Sequence, residues 1–297
     1  MSELSHQLEP AAPPAPPGPA ARDSWRSRHR FAASLTRGAG LAGVVLVAMV
    51  CLAGLFAPLL TSWDPVRQVA GSQLLPPGAG HLFGTDQLSR DIAARVFHGA
   101  RTSLLVAVIA VPAGTVLGIL IGLLATTRPL ADLITQRVFD VVLAFPALIL
   151  GVLLALVAGP GTPTVITVIV VTEAPIVGRL IRSQVLRVRE LPFVESARVI
   201  GAPGGWVLRR HVLPNSLEPV AVHVALAFSG AIFAESAMSF LGIGVRPPAP
   251  SLGGVIADSL LYIEIRPWFA VAPLAVVVAL SVGFYLIAQA LGKAGRD

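Results

Sequence analysis

Long stretches without a single charged residue constrain this sequence more than any other feature. Residues 38–63, 102–127 and 267–292 contain no Asp, Glu, Lys or Arg, and each run has 26 residues. A helix of about 20 apolar residues crosses the hydrocarbon core of a bilayer. Charged residues make up only 13% of the chain, whereas soluble domains contain about 25%. The sequence therefore predicts an all-α, polytopic membrane protein.

Two further apolar regions bring the number of predicted spans to six. The run 141–172 is also uncharged, and AGPGTP at 158–163 interrupts it, which predicts a helical hairpin. Another apolar segment follows Glu218 and ends near Leu241. The predicted spans are 38–63, 102–127, 138–158, 162–180, 217–241 and 267–291.

Basic residues are distributed unequally between the two sides of these spans. Of the 22 Lys and Arg residues, 16 lie in the N-terminal tail, in the loops between spans 2 and 3 and between spans 4 and 5, or at the C-terminus. Loops rich in Arg and Lys stay in the cytoplasm. Both termini are therefore predicted to be cytoplasmic.

The spans divide the chain into four predicted segments. The tail contains AAPPAPPGPAA, a Pro/Ala-rich composition that cannot bury a core and predicts disorder. The segments are a cytoplasmic tail (1–37), a first span and outer loop with an interfacial helix (38–101), a core of five spans (102–292) with an inner loop at 181–215, and a cytoplasmic end (293–297).

Several kinds of enzyme are excluded by the motifs that the sequence lacks. A phosphate-binding P-loop requires Gly-Lys followed by Ser or Thr, but the only lysine, Lys293, precedes Ala294. No H-E-x-x-H or G-x-S-x-G motif occurs. The single cysteine, Cys51, excludes an internal disulfide and a cysteine-rich metal site. We expect no catalysis, cofactor or metal in this chain, and any ATP it uses must bind to another polypeptide.

The polar segment between spans 4 and 5 has the pattern of short helices separated by turns. RLIRSQVLRVRE (179–190) extends span 4 as an amphipathic helix, and Pro192 suits the first turn of a new helix. Val194, Ala197 and Ile200 form an apolar stripe on it. Two interpretations remain: a docking surface for a cytosolic partner, or a helix lying at the membrane interface.

Glycine and proline mark the breaks within this polar segment. Gly201 occupies the position where a helix ends with a positive φ angle. Pro203 begins a second short helix, which is predicted to end before Pro214.

Span 2 carries glycines at every fourth residue, Gly114, Gly118 and Gly122. Small residues at this spacing form one face and let membrane helices approach closely. This face packs either within the chain or against a second membrane subunit.

Two carboxylates, Glu173 and Glu235, lie in apolar surroundings. A charge at the bilayer centre costs about 2.5–3.5 kcal/mol on insertion scales. A structural hydrogen bond, a site near the interface, a proton relay and substrate contact all remain possible for these two side chains.

Two ion pairs are predicted within helices. Asp91 and Arg95 have the i, i+4 spacing that supports an exposed helix. Asp140 is expected to cap its helix or to pair with Arg137.

The outer loops contain two predicted helices. The first begins with a cap at Thr85 or Asp86, stops at Gly99 and lies on the outer leaflet. The second lies within residues 251–265. Both are candidate docking surfaces for an extracytoplasmic partner.

Four motifs in order carry a family resemblance that covers about residues 38–297. The inner loop contains E-S-A-x-x-x-G followed by HVLPN, which resembles the EAA loop of permease subunits of binding-protein-dependent ABC importers. It looks in particular like the C-type permeases of the dipeptide, oligopeptide and nickel group. The other three motifs are HLFGTDQLSRDIAARVFHGARTSL (81–104), FDVVLAFPALILG (139–151) and ESAMSFLGIGVRPPAPSLGG (235–254).

The resemblance implies a type I importer permease with six spans, in the bacterial plasma (inner) membrane. Its inner loop would hold a coupling helix that binds an ATPase subunit. The matching positions are Glu195, Ser196, Ala197, Gly201, His211, Leu213, Pro214 and Asn215, where Ser196 replaces a more usual alanine and Pro203-Gly204-Gly205 replaces a more polar turn.

The resemblance also implies partners. These are a second permease, two ATPase subunits that bind ATP and Mg, an extracytoplasmic substrate-binding protein and membrane lipid, but no nucleic acid. The cargo would be a peptide. The alternative is a stand-alone, proton-coupled carrier that uses Glu173 and Glu235.

Overall fold

The computed structural model describes residues 33–78 and 80–295, so most of the predicted disordered tail and residues 296–297 lie outside the described range. The regular elements within it are helices, as predicted. In chain order they are α1 (Gly38–Leu55), α2 (Ala57–Leu60), α3 (Ile92–Ala125), α4 (Pro129–Ala144), α5 (Ala147–Ala158), α6 (Thr162–Arg189), α7 (Pro192–Val199), α8 (Gly204–Val207), α9 (Leu213–Ser216), α10 (Glu218–Phe240), α11 (Leu252–Ser259) and α12 (Trp268–Ala294). A π-helical turn, Leu208–Val212, joins α8 to α9, and a 3-10 turn, Leu260–Tyr262, follows α11.

Within the described residues, five helices are long and apolar enough to cross a membrane: α1, α3, α6, α10 and α12. The pair α4 and α5 forms a sixth span only if the two helices are counted together. α1 ends at Leu55, before the end of the uncharged run at residue 63. The reason is Pro58, which lacks the N–H that a continuing helix needs and instead lies in the first turn of α2.

The core of the bundle forms where α3 packs along α6, and α10, α12 and α1 complete it. Small side chains let the helices come close together. A Cβ atom on Gly43 of α1 would lie 2.6 Å from the carbonyl oxygen of Gly283 on α12, so these two helices cross with their backbones in contact. Branched residues fill the space between α3, α6 and α10, including Val106, Val111, Val165, Val168 and Ile232.

The predicted single span over 138–158 is instead a broken helix. α4 and α5 meet at an angle of 88° across Phe145 and Pro146. Pro146 has no N–H and biases Phe145 towards extended backbone angles, so the helix cannot continue straight.

The predicted interfacial helix from Thr85 or Asp86 to His98 is also wrong. Asp91 caps α3 by accepting a hydrogen bond from the N–H of Ala94 at 2.7 Å, and α3 then continues unbroken past Gly99. Its first turns are buried and do not lie on a leaflet. Gly99 is a point of close approach, since a Cβ there would lie 3.0 Å from the backbone nitrogen of Leu252.

Candidate functional site

One end of the bundle is covered by residues 190–217, which we call the 190–217 loop. It contains most of the residues that the sequence singles out. The last turns of α6 provide its base, with Val177, Ile181, Val185 and Val188 buried along one side. From the loop, Val194, Ala197, Val207 and Val212 pack into the same apolar cluster. The loop is therefore a packed element with its own core.

α7 ends in a complete Schellman motif at Gly201. Its φ angle is +84°, the Gly201 N–H donates to the carbonyl of Arg198 at 2.9 Å, and the Ala202 N–H donates to the carbonyl of Ala197 at 3.1 Å. A Cβ at Gly201 would meet no atom within 4 Å, so the backbone angle, not lack of space, requires glycine here.

The start of α7 is also stabilised locally. Pro192 lies in its first turn, and Ser196 Oγ donates to the carbonyl of Pro192 at 2.9 Å. Glu195 lies in the first turn, where a helix favours negative charge, and its side chain is exposed. Among the described residues Glu195 takes part in no ion pair shorter than 4.0 Å.

The second helical part of the loop runs through Pro214, so its predicted end before this residue is wrong. A π-helical turn lets the chain pass the proline, and the Leu213 N–H donates to the carbonyl of Leu208. Asn215 Nδ2 donates to the carbonyl of His211 at 2.5 Å, and Ser216 Oγ donates to that of Val212 at 2.8 Å. These side chains donate hydrogen bonds to carbonyl groups close to Pro214, which has no N–H to donate.

His211 joins the two halves of the loop. Its ring lies edge-on to Trp206, with centroids 5.0 Å apart, and 6.1 Å from the ring of Phe193 on α7. The predicted site residues therefore have different roles in the geometry. Ala197 is buried and Leu213 half-buried, His211 connects α7 to α8, and Glu195, Ser196, Gly201, Pro214 and Asn215 are exposed.

The loop exposes an apolar patch, which we define as Phe193, Val199, Ile200 and Trp206. Val199 and Ile200 are 80% and 83% exposed, and half of Trp206 is exposed. Of the three residues predicted to form an apolar stripe, Val194 and Ala197 are buried and Ile200 is not. Ile200 is the last residue before the Schellman turn, and the turn leaves its side chain in solvent. Large exposed apolar side chains outside a membrane core are typical of protein contact sites.

Three arginines on α6 connect the base of the loop to neighbouring helices. Arg182 forms a bidentate pair with Asp132 of α4, with both N–O distances 2.5 Å. Arg189 donates to the carbonyl and hydroxyl of Thr126 at 3.2 Å, at the end of α3. Arg179 Nη2 donates to Asp140 at 2.5 Å, whereas the predicted partner of Asp140, Arg137, lies at 3.6 Å.

The glycine face of α3 is used within the chain. Cβ atoms on Gly118 and Gly122 would lie 2.5 Å from the carbonyl oxygens of Ala174 and Gly178, respectively. Gly114 packs against the Cβ of Glu173 in the same way. Of the two predicted uses of this face, the structure shows packing against α6.

The two intramembrane carboxylates have separate partners. Glu173 Oε1 lies 2.8 Å from Nε2 of His223 on α10. Glu235 is fully buried, and it accepts hydrogen bonds from Ser103 and from Ser239. His223 and Glu235 are 12 residues apart on α10, about 18 Å along the helix axis, so Glu173 and Glu235 do not share one site. The sequence contains no local signal for the His223 contact.

A cluster of four charges lies at the end of the bundle opposite the 190–217 loop. Asp86 is buried and binds Arg90 at 2.6 Å and Arg95 at 2.5 Å. Asp258 of α11 binds the same two arginines at 3.3 and 2.9 Å. The predicted pair of Asp91 and Arg95 is therefore wrong. Asp86 and Arg90 are four residues apart but lie in the turns before α3, so helical spacing would not have identified this cluster.

Asp91 has a different partner at this end. Its Oδ1 caps α3, and its Oδ2 lies 2.8 Å from Nδ1 of His81, whose ring stacks on Trp63. Across the described ranges, no group of three or more His, Cys, Asp or Glu side chains is arranged to hold a metal ion.

Comparison with known sequences places this geometry among transport proteins. The model of the family described as binding-protein-dependent transport system inner membrane component matches residues 110–296. The dipeptide transport system permease protein DppC of Alkalihalophilus pseudofirmus is 34% identical over 96% of this chain and 94% of its own length. The di/tripeptide transport system permease protein DppC of Pseudomonas aeruginosa is 36% identical over 86% of each chain.

Solved structures show the same fold at lower identity. An amino acid ABC transporter chain matches with a TM-score of 0.55 and 17% identity, over 68% of this chain and 94% of that chain. A chain of the MetNI methionine ABC transporter, solved in inward-facing conformations, matches with a TM-score of 0.54 and 22% identity, over the same shares.

Proposed function

Because the chain belongs to the binding-protein-dependent transport system inner membrane component family, we propose that it is the permease subunit of an ATP-driven importer of peptides. The chain matches two relatives over 94% and 86% of their length, and these are named as a dipeptide and a di/tripeptide permease. The names support short peptides as cargo. A second permease would complete the pathway. An extracytoplasmic binding protein would deliver the peptide.

The observation that carries this proposal is the 190–217 loop. Buried valines on α6 anchor this loop, and the four side chains of the apolar patch are exposed. The sequence contains no P-loop, so the energy of ATP must come from another protein. A packed loop with exposed apolar side chains is suited to bind an ATPase subunit, which would carry the ATP and Mg.

The protein is a multi-pass inner-membrane protein, and we propose that both of its termini are cytoplasmic. In that orientation the 190–217 loop, with its many arginines, also faces the cytoplasm. The cluster of Asp86, Arg90, Arg95 and Asp258 then lies on the outer side, where a binding protein would approach. This arrangement puts the ATPase and the binding protein at opposite ends of α3, α6 and α10.

The proposal is tested by placing charge on the apolar patch. We expect the double substitution Val199→Asp, Ile200→Asp to prevent co-purification of the ATPase and to abolish ATP-dependent dipeptide uptake. Removing well-packed contacts of this kind costs about 2 kcal/mol or more, roughly 30-fold in affinity. Both side chains are at least 80% exposed, so the level of the chain in the membrane should not change.

A matched control is available at the other end of the bundle. Leu261 is 86% exposed, and Leu261→Asp should leave the ATPase bound. Retained ATPase binding and uptake in the double variant would contradict the proposal. Dipeptide uptake that needs a proton gradient and no ATP would instead favour a stand-alone carrier.

A further inference from the structure

The break between α4 and α5 lies on an exposed surface of the chain. Ala144, Phe145 and Pro146 are all exposed, and the helix axis turns by 88° at this point. The flanking helices expose apolar residues, as expected for a segment within a membrane. The break itself, however, has non-helical backbone, with Phe145 at φ −89° and ψ 126°.

Backbone polar groups at the break lack their usual partners. In a straight helix the carbonyl of Val142 would accept from residue 146, but Pro146 has no N–H. The Phe145 N–H donates instead to the carbonyl of Val142, at 3.3 Å, which closes a tighter turn there, and the Pro146 carbonyl accepts from Leu150 at 3.1 Å. In a straight helix the carbonyls of Leu143 and Ala144 would accept from Ala147 and Leu148, but neither N–H makes such a bond across the bend.

The break lies deep within the predicted membrane region. α5 has 12 residues, so it is about 18 Å long and separates the break from the hairpin turn at 159–161 by more than half of a hydrocarbon core of about 30 Å. Both helices that flank the break are packed against the rest of the bundle. Gly151 of α5 packs against Met238 of α10, and Phe139 of α4 packs against Gly178 of α6.

Non-helical backbone with unpaired polar groups cannot face lipid at this depth. Unpaired N–H and C=O groups cost several kcal/mol each in hydrocarbon, so irregular backbone occurs there only when buried in protein or when it lines a water-filled cavity. Charged groups nearby favour water. Arg137 is 77% and Asp140 53% exposed at the side chain, and Asp140 lies about one helical turn before Ala144.

We propose that the α4–α5 break lines the water-filled pathway and that the carbonyls of Leu143 and Ala144 accept hydrogen bonds from N–H groups of the passing peptide. The identity of the cargo rests on the proposed function, whereas the contact with water does not. A backbone site of this kind binds the groups that all peptides share. It would therefore tolerate different side chains in the cargo.

Cysteine accessibility in the assembled transporter tests this inference. Cys51 is first replaced by alanine, and Phe145→Cys is compared with Val108→Cys on the unbroken helix α3, where the native side chain is similarly exposed. A thiol must ionise to react, and an apolar environment raises its pKa. We expect a charged, membrane-impermeant methanethiosulfonate to modify Phe145→Cys about tenfold or more faster than Val108→Cys. A thiol pKa that is one unit higher in the apolar environment lowers the thiolate fraction, and hence the rate, by this factor.

A dipeptide, added with the binding protein, should slow the modification of Phe145→Cys. Modification as slow as that of Val108→Cys would overturn the assignment to the pathway. Fast modification that the dipeptide does not slow would overturn the peptide contact. Uptake by the Cys51→Ala parent is measured separately, so a failure of the proposed function is distinguished from a failure of this inference.

Discussion

Gly201 shows how one backbone angle shapes the 190–217 loop. The sequence predicts a helix end with positive φ at this position, and the structure has it at +84°. Close approach to another part of the chain is not the reason, because the space around Gly201 is open. The loop contains two more glycines, Gly204 and Gly205, which lie in helix α8 and have no positive φ.

These glycines give a prediction with an internal control. Gly201→Ala forces a side chain into the left-handed region, which costs about 1–2 kcal/mol, and should loosen the end of α7. In this variant we expect the backbone amides at positions 201 and 202 to exchange hydrogen faster than in the parent protein, and uptake to be reduced. Gly205→Ala should be neutral or slightly stabilising, because alanine favours a helix. Equal exchange rates in the two variants would argue against a role for φ at Gly201.

At the scale of elements, the contact between α3 and α6 determines where the 190–217 loop lies. α6 provides the base of the loop, and its glycine contacts with α3 bring the two backbones together. The spacing of Gly114, Gly118 and Gly122 was sufficient to predict a close-packed face. The sequence left open whether the partner helix was in the same chain, because spacing identifies a face but not the surface opposite.

A pair of glycine substitutions tests this contact. Gly122→Ala places a Cβ 2.5 Å from both the Gly178 carbonyl and the Ile181 side chain, so α3 and α6 must separate. Overpacking of this kind costs about 1–3 kcal/mol, and we expect a lower midpoint of thermal unfolding in detergent. Gly230→Ala in α10 is the control, since its Cβ would meet nothing within 4 Å. An unchanged midpoint in Gly122→Ala would mean that the helices are not tightly packed there.

At the scale of the whole molecule, the four-charge cluster joins parts of the chain that are far apart in sequence. Asp86 and Asp258 are brought together by two arginines, and Arg266 also donates to the carbonyl of Leu74 at 2.9 Å. These contacts fasten the segment before α3 to α11 and α12. The network makes this end of the bundle a folded cap.

Removing the charge of Asp86, the buried carboxylate of the cluster, should destabilise this cap. Asp86→Asn leaves Arg90 and Arg95 with only Asp258 as a carboxylate partner, and breaking a buried ion pair from one side costs about 3–5 kcal/mol. We expect a lower unfolding midpoint and faster proteolysis between α2 and α3. Asp258→Asn is the matched comparison and should have a smaller effect, because its side chain is 35% exposed. A larger effect of Asp258→Asn would reverse the assigned importance of the two carboxylates.

The sequence by itself determined the features that depend on local physics. Uncharged runs of membrane length predicted the spanning helices, Pro192 and Gly201 predicted the bounds of α7, and the motifs predicted the family. These features could be read because hydrophobicity, a missing N–H and a positive φ act within a few residues.

Only the tertiary structure decided which distant groups meet. It paired Glu173 with His223, joined Asp86 to Asp258 through Arg90 and Arg95, and placed the break at Pro146 on an exposed surface. It also showed that Gly99 continues a buried helix, where the sequence alone suggested an end. Such contacts depend on how whole helices pack, and the spacing of residues along one helix contains no information about the helix opposite.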